Sequence, residues 1–303
     1  MKDLPKISII TPSYNQEAFL ERTILSVINQ AYPNIEYIIM DGGSTDGSID
    51  IIKKYSSSLY YWETAKDKGQ SNAINKGLKI ATGDIVTWLN SDDFYLDGTL
   101  KKVAAIWQKK PFDFLAGNAY FVDEQDQLLT DQSKSQLING NTFLPFRRDC
   151  VIHQPASFFS LKLYHQIGPL DETLHYSMDV DFWLKITARN IYFDYSDEYF
   201  TYFRRHSSAK SSGGNIQFIE DTMNSLFFKN ELKKLNPPLY KIVKKTGIDI
   251  YLYNLSLEHY TMALFKSAMR YFPSAPLIVS KRIITYINNK TGLFLKNKLS
   301  AFK

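Results

Sequence analysis

Apolar positions in the first third of the chain fall into two alternating rhythms. "KISIITP" and "IEYIIMD" are short apolar runs, the second rich in β-branched residues, and both predict buried strands. Between them, "AFLERTILSVINQ" sets Leu20, Ile24, Val27 and Ile28 at helical spacing. "GGSTDGS" is a turn cluster, and "IDIIKKY" predicts a helix after it. "LYYWETAKDKGQ" then predicts a strand and a loop. "SNAINKGLKIA" repeats the helical spacing through Ile74, Leu78 and Ala81, and Gly83 stops it before the strand "DIVTWLNSDD". Strands alternating with helices predict an α/β fold of right-handed βαβ units on a mostly parallel central sheet.

Beyond Thr99 the pattern is mixed. A helix is expected over "LKKVAAIWQKK", strands near "FDFLAGNAYFVD", and an irregular stretch to about Arg148. "HYSMDVDFWLKITARN" predicts another helix and "IYFDYSDEYFTYFRRH" further strands, before "KSSGG" breaks the chain. Helical segments interrupted by "NPPL" and "FPSAP" follow. The expected division is a sheet domain over 1–215 and a helical C-terminal region over 216–303.

In open α/β sheets, ligands sit beyond the carboxyl ends of the strands. Three of those ends carry "TPSYNQ", "DGGSTDGS" and "NSDD", all polar, small or acidic. Adjacent strand residues point in opposite directions, so Asp92 and Asp93 need not share one job. One suits a hard cation such as Mg²⁺ or Mn²⁺, which takes one or two protein carboxylates plus substrate phosphates. The other can reach ribose hydroxyls. A helix cap or turn accounts for Ser-Asp-Asp as well. Asp41 can accept hydrogen bonds from a base or ribose while the glycines after it admit a close ligand. A tight turn capped by Asp46 or Ser48 is the alternative there.

"SMDVDFW" offers Asp179 and Asp181, which on one helix cannot both face one cleft. A carboxylate at that place suits a general base, or simply a favourable charge in a first helical turn. "RRHSSAKS" gathers Arg204, Arg205, His206 and Lys210, cations suited to a pyrophosphate plus an imidazole able to ligate metal. A solvated basic loop reads the same way. The glycine spacing matches neither an EF-hand loop nor a dinucleotide fingerprint, and no Walker lysine or G-x-S-x-G elbow is present.

Composition then narrows the setting. The chain has 303 residues, 44% hydrophobic and 15% aromatic, ample for a large core. Its one cysteine, Cys150, excludes a disulfide framework and fits a reducing compartment. The start lacks a secretory h-region and no run is long enough to span a bilayer, so a cytoplasmic protein is expected. The net charge of +5 is unevenly placed: Lys233–Lys303 holds 13 basic against two acidic residues, leaving 23 basic and 29 acidic before it. An acidic body with a basic, aromatic tail is not the footprint of a nucleic-acid reader. It fits a tail lying on the anionic inner membrane surface, with a basic helical cap or dimer interface as the alternative.

In order, "ISIITPSYNQEAFLERTILSVINQAYPNIEYIIMDGGSTDGS", "DKGQSNAINKGLKIATGDIVTWLNSDD", "GPLDETLHYSMDVDFWLKI" and "YFRRHSSAKS" resemble the family-two glycosyltransferases, across roughly the first 210 residues. The resemblance implies a GT-A fold, Rossmann-like with helices flanking the sheet. It implies inverting transfer of a single sugar from a nucleotide-sugar, usually UDP-linked, with Mn²⁺ or Mg²⁺. Thr11, Pro12, Ser13, Tyr14 and Asn15 would cradle the nucleotide, with Asp41, Asp67, Asp92 and Arg204 also on the donor. The metal would rest on Asp93 and His206. Asp179 matches the family's catalytic base, with Asp181 supporting and Met178 where many members carry Glu. The "QxxRW" element and membrane spans of processive synthases are absent, which favours one sugar per transfer. The C-terminal region lies outside the resemblance, and its basic character suits a sugar or lipid-linked glycan acceptor of a surface polysaccharide. A catalytically silent, membrane-associated adaptor with the same fold is the competing expectation.

Overall fold

A computed structural model of the chain describes residues 4–130, 134, 135, 143, 151–210, 218 and 221. The chain divides into two compact units, Met1–Thr222 and Met223–Lys303. The expected helical region of 216–303 falls outside the described residues apart from 218 and 221, as does most of the irregular stretch before Arg148.

The strands begin with β1 (Ile7–Ser13), β2 (Ile35–Asp41), β3 (Tyr61–Thr64) and β4 (Ile85–Trp88). They continue with β5 (Phe94–Tyr95), β6 (Phe114–Val122), β7 (Ser157–Ser160) and β8 (Phe193–Arg204). All eight form one sheet in the order β3-β2-β1-β4-β7-β6-β8-β5. β1 pairs in parallel with both β2 and β4, β2 with β3, and β6 with β8. β7 runs antiparallel between β4 and β6, and β5 antiparallel to β8. The fold is the expected α/β, mostly parallel sheet flanked by helices.

Its first half follows directly from the apolar pattern. β1 and β4 are buried along their whole length, as strands covered by helices on both faces must be. α1 (Glu17–Ile28) turns Leu20, Thr23, Ile24 and Val27 onto the sheet, and α3 (Gln70–Ile80) turns Ala73, Ile74, Gly77 and Leu78. Between them in sequence lies the shorter α2 (Ser48–Lys54). α4 (Thr99–Lys109) buries Leu100, Val103 and Ala104. One buried carboxylate is spent on architecture. Glu36 accepts from Ser8 Oγ, Thr82 N and Thr82 Oγ1, each at 2.7 Å, and ties the turn before β4 to β1 and β2. Those bonds outweigh its burial and hold its carboxyl below the usual range.

Besides the two-residue β5, two elements have no counterpart in the sequence reading: β7 and the helix α5 (Leu161–Ile167) that follows it. At four and seven residues both are too short for a period to declare itself. β7 brings Phe158 to one face of the sheet and Phe159 to the other. Phe159 packs at 5.7 Å from Trp88 and 5.1 Å from Phe182, on α6 (Met178–Ala188). That contact seats α6 against the strand end carrying the "NSDD" segment.

Gly77 marks the closest approach of α3 to the sheet. A Cβ there would meet Ile10 Cγ2 at 2.5 Å, inside the core. Gly77→Val is therefore expected to lower stability by about 1–3 kcal/mol through overpacking, more than the roughly 1 kcal/mol or less that a better helix former returns. A chemical-denaturation midpoint equal to that of the unaltered chain would show that α3 does not rest on β1 at this residue.

Candidate active site

The carboxyl ends of β1, β2 and β4 open onto a cleft of about 890 Å³ whose walls also take in α3, the start of α6 and the segment after β8. Parallel strands end on the same edge, so their terminal loops converge there. Pro12, Ser13 and Tyr14 line the cleft from the end of β1. Tyr14 is 61% exposed, an aromatic face held at the lip. Ser13 Oγ is buried with no hydrogen-bond partner among the described residues.

Not every expected donor residue faces the cleft. Thr11 is buried below it, sharing a 3.1 Å hydrogen bond with the Tyr37 hydroxyl. Asn15 is a brace: its side-chain oxygen accepts from Thr45 N at 2.8 Å while its own N–H donates to Ser44 Oγ. Asp41 is consumed by its own turn. Its Oδ2 accepts from Gly43 N, Ser44 N and Thr64 Oγ1 at 2.7–3.0 Å, and its Oδ1 from Ser44 Oγ. With its hydrogen-bonding capacity filled, Asp41 shapes the Gly42–Gly43 wall and leaves ligand contact to that backbone. Gly43 has φ +85°, a conformation that favours glycine. At Gly42 a Cβ would stand 3.0 Å from Asp67 Oδ2. Asp67 lines the cleft, fixed by Gly69 N at 2.7 Å.

The two acids face different ways, though not with the roles that the resemblance implies. β4 ends at Trp88, and Asn90–Asp93 is a turn closed by Asp93 N donating to Asn90 O at 3.1 Å. Asp92 lines the cleft. Asp93 is fully buried on the other side, with Oδ1 accepting from Arg204 N at 3.0 Å and Oδ2 meeting Asn90 Nδ2 at 3.5 Å. Burial, and then the neighbouring Asp92, push its carboxyl well above the ordinary carboxylate range. A carboxyl held neutral and facing the core is a poor cation ligand.

Arg204 is likewise turned from the cleft. Its guanidinium lies between the rings of Phe19 and Phe94, at 4.7 and 5.2 Å, and pairs with Asp126. Its Nε donates to the Asp92 carbonyl at 2.9 Å. Two residues on, His206 Nε2 meets Asp92 Oδ2 at 3.0 Å, with its ring packed on Phe19 at 4.6 Å and Nδ1 against Ser208 Oγ at 2.8 Å. Two members of the expected cluster, Arg204 and His206, therefore hold the "DD" turn. Thr23 of α1 completes the hold, its hydroxyl 2.9 and 2.7 Å from the carbonyls of Ser91 and Asp93.

Asp92 faces the cleft with His206 paired behind it, the imidazole's Nε2 engaged by Asp92 and its Nδ1 by Ser208. Among the described residues no group of three His, Cys, Asp or Glu side chains gathers around a common point. The Asp92 carboxylate still suits Mg²⁺ or Mn²⁺, whose other positions are ordinarily filled by substrate phosphates and water.

Asp179 lies in the first turn of α6 and lines the cleft, its Oδ1 accepting from Val180 N at 2.7 Å. Burial pushes its carboxyl up to about 6. Asp181 points inward and pairs with Lys185 at 3.0 Å, as expected for two helical residues that cannot share a face. Four cleft residues form a hydrogen-bonded row, of which the sequence reading had named Lys210 as a candidate cation. Lys210 Nζ donates to Gln70 Oε1 (2.9 Å), Gln70 Nε2 to Asn90 Oδ1 (2.8 Å), and Asn90 Nδ2 to Gln154 Oε1 (3.0 Å). Lys210 carried a signal in its charge and Asn90 in its place beside the acids. Gln70 and Gln154 carried none, since amides are common on any surface.

The chain was compared with known proteins. It is 40% identical to an uncharacterised glycosyltransferase of Haemophilus influenzae over 152 residues, 46% of this chain and 60% of that one. It is 31% identical to one of Mycobacterium tuberculosis over 190 residues, 61% of this chain and 70% of that one. A Rickettsia bellii relative, 28% identical, is matched over 30% of its own length, so the chain spans less than two thirds of two of these three relatives. Among solved structures, Staphylococcus aureus TarS 1–349 in complex with UDP-GlcNAc superposes with a TM-score of 0.63 at 20% identity, covering 87% of this chain and 81% of that one. The mannosyltransferase PcManGT from Pyrobaculum calidifontis, in complex with GDP-Man and Mn²⁺, superposes at 0.59 with 14% identity, covering 94% and 85%. At such identities the likeness shows the fold, and the fold is the expected GT-A type. Residues 8–165, just over half of the sequence, match the family model for Glycosyl transferase family 2, and the chain belongs to that family.

Proposed function

We propose that the protein is an inverting glycosyltransferase that moves one sugar from a nucleotide-sugar, UDP-linked by preference, to an acceptor hydroxyl. The observation that carries this reading is one cleft lined by both Asp92 and Asp179, two carboxylates in unlike environments. Asp92 is tied to an imidazole, while Asp179 is raised to about 6 by burial, near the value a general base needs at neutral pH. The UDP-GlcNAc complex of TarS supports a uridine donor.

In the proposed reaction Tyr14, Pro12, Ser13 and the Gly42–Gly43 backbone hold the nucleoside, with Asp67 closing the wall. Asp179 takes the acceptor proton as the acceptor oxygen bonds to the anomeric carbon. The bond from that carbon to the phosphate oxygen breaks on the opposite face, and its electron pair leaves with the diphosphate. Asp92, backed by His206, would hold a divalent cation, which when bound supplies positive charge against the diphosphate. Asp93 and Arg204 hold Asp92 in place. Positioning alone supplies a large share of such an acceleration, within the roughly 7–11 kcal/mol that orientation can contribute.

The acceptor and its setting are proposed from charge. The excess of basic residues after Lys233 supports a lipid-linked glycan acceptor at the cytoplasmic membrane face. Among the described residues no helix is long and apolar enough to cross a membrane. Deleting the residues after Asn236 is expected to lower sedimentation with anionic liposomes, and undiminished partitioning would return that region to a helical cap.

The donor reading is tested by thermal unfolding against nucleotide sugars with Mn²⁺, where a ligand at 100 times its Kd adds about 2.7 kcal/mol. Stabilisation by none of them would favour a silent adaptor. Asp179→Asn is expected to abolish transfer and leave nucleotide binding intact. The native state holds the Asp179 proton more tightly than the unfolded chain, so ionising it costs stability as pH rises from the ordinary carboxylate range to about 6, and that cost stays constant above. The Asn variant avoids that cost, and its Tm at neutral pH should match or exceed the parent's. For the unaltered chain, kcat/KM should rise with pH and level off above about 6. A profile flat from about pH 5 to about pH 8 would remove Asp179 from the role of base.

A further inference from the structure

The cleft carries more negative than positive charge. Asp67, Asp92 and Asp179 line it, and the lining cations among the described residues are Lys66 and Lys210. A nucleoside diphosphate would add further negative charge, and the arginine that the sequence offered for it is committed elsewhere. Arg204 is 3% exposed, stacked between two aromatic rings and bonded to carbonyls of the "DD" turn and the 123–126 loop.

Among the described residues Lys210 has no such commitment to a charged partner in its hydrogen bonds. Its ammonium donates to the Gln70 side-chain oxygen at 2.9 Å and to the His175 carbonyl at 3.2 Å, both neutral acceptors. We infer that Lys210 is the diphosphate-binding cation of this cleft, its ammonium contacting the terminal phosphate of the nucleotide and remaining there as the sugar departs. The inference rests on reading the cleft as a nucleotide-sugar site.

Three observations support it. Charge-assisted bonds to phosphate are roughly twice as strong as those to neutral acceptors, so phosphate displaces an amide and a carbonyl readily. Lysine carries its charge on a flexible four-carbon stem, so the move requires no rearrangement of the backbone. The residue as a whole is exposed, yet crowding around its ammonium pulls it below the ordinary lysine range, against the opposing influence of Asp92, Asp221 and Asp67. A cation partly stripped of water gains more from a new anion than a fully hydrated one. Its tethers are also well chosen. Gln70 opens α3, and His175 lies two residues before Ser177, which precedes α6 and Asp179. The ammonium thus sits between the donor wall and the segment leading to the base.

The test compares nucleotides that differ by the phosphate in question. UDP and UMP, and GDP and GMP, are titrated by calorimetry into the full-length protein with Mg²⁺, for the unaltered chain, Lys210→Gln and Lys210→Arg. Lys210→Gln is expected to weaken the diphosphate by about tenfold or more while the monophosphate changes less than about twofold. Lys210→Arg, keeping the charge, should stay within about threefold for both. Thermal unfolding of each variant verifies that it is folded. Equal losses for di- and monophosphate, or no loss for either, would overturn the assignment. An unaltered chain that binds none of the four nucleotides would overturn the donor-site reading beneath it, so the two failures are distinguishable.

Discussion

The cleft depends on one clamp: the turn holding Asp92 and Asp93 is pinned by the end of β8. Arg204 contributes three separate contacts to it. Its backbone N–H donates to Asp93 Oδ1, its Nε to the Asp92 carbonyl, and its guanidinium is wedged between Phe19 and Phe94. His206 adds the bond to Asp92 Oδ2. Two adjacent carboxylates repel, and the clamp answers this by separating their fates. Asp93 is buried with its proton favoured, while Asp92 faces the cleft.

Around that clamp the rest of the site is a matter of how strands end. β1, β2 and β4 run in parallel, so the 12–14 segment, the Gly42–Gly43 wall and the Asn90–Asp93 turn meet on one edge. Asp41 folds the second of these by accepting four hydrogen bonds, and α3 is drawn against β1 at Gly77. α6 arrives from the other half of the chain, seated by Phe182 against Phe159 and Trp88. The result sets a polar amide row, Gln70–Asn90–Gln154, beside two carboxylates in unlike surroundings.

The first half of the sheet was legible because its strands are buried on both faces and its helices keep a clean 3.6 period, as in Leu20, Ile24 and Val27. β7 and α5 were not, since four apolar residues followed by a single helical stretch of seven fit several structures equally well. For the site, residue type singled out Asp92, Asp179 and the Pro12–Tyr14 segment, which the fold brings to one cleft. It could not assign direction. Asp93, Asp41 and Arg204 have the chemistry of donor ligands, and their side chains are consumed by neighbours that only the folded chain brings near. The division within the acid pair went astray for a specific reason. It came from the resemblance, which gives roles by position in the motif, whereas the turn after β4 aims Asp92 at the cleft and Asp93 at the core.

The clamp has a consequence for how the molecule comes into being. Its two halves lie more than 110 residues apart along the chain, Asp93 to Arg204 and Asp92 to His206. Contacts of such long range form late, because the entropy of closing the intervening chain must be met first. During synthesis the family-matched segment 8–165 emerges before residue 204 exists to close it. The acid pair therefore spends that interval solvated, and the cleft reaches its working geometry as one of the last events of folding rather than the first.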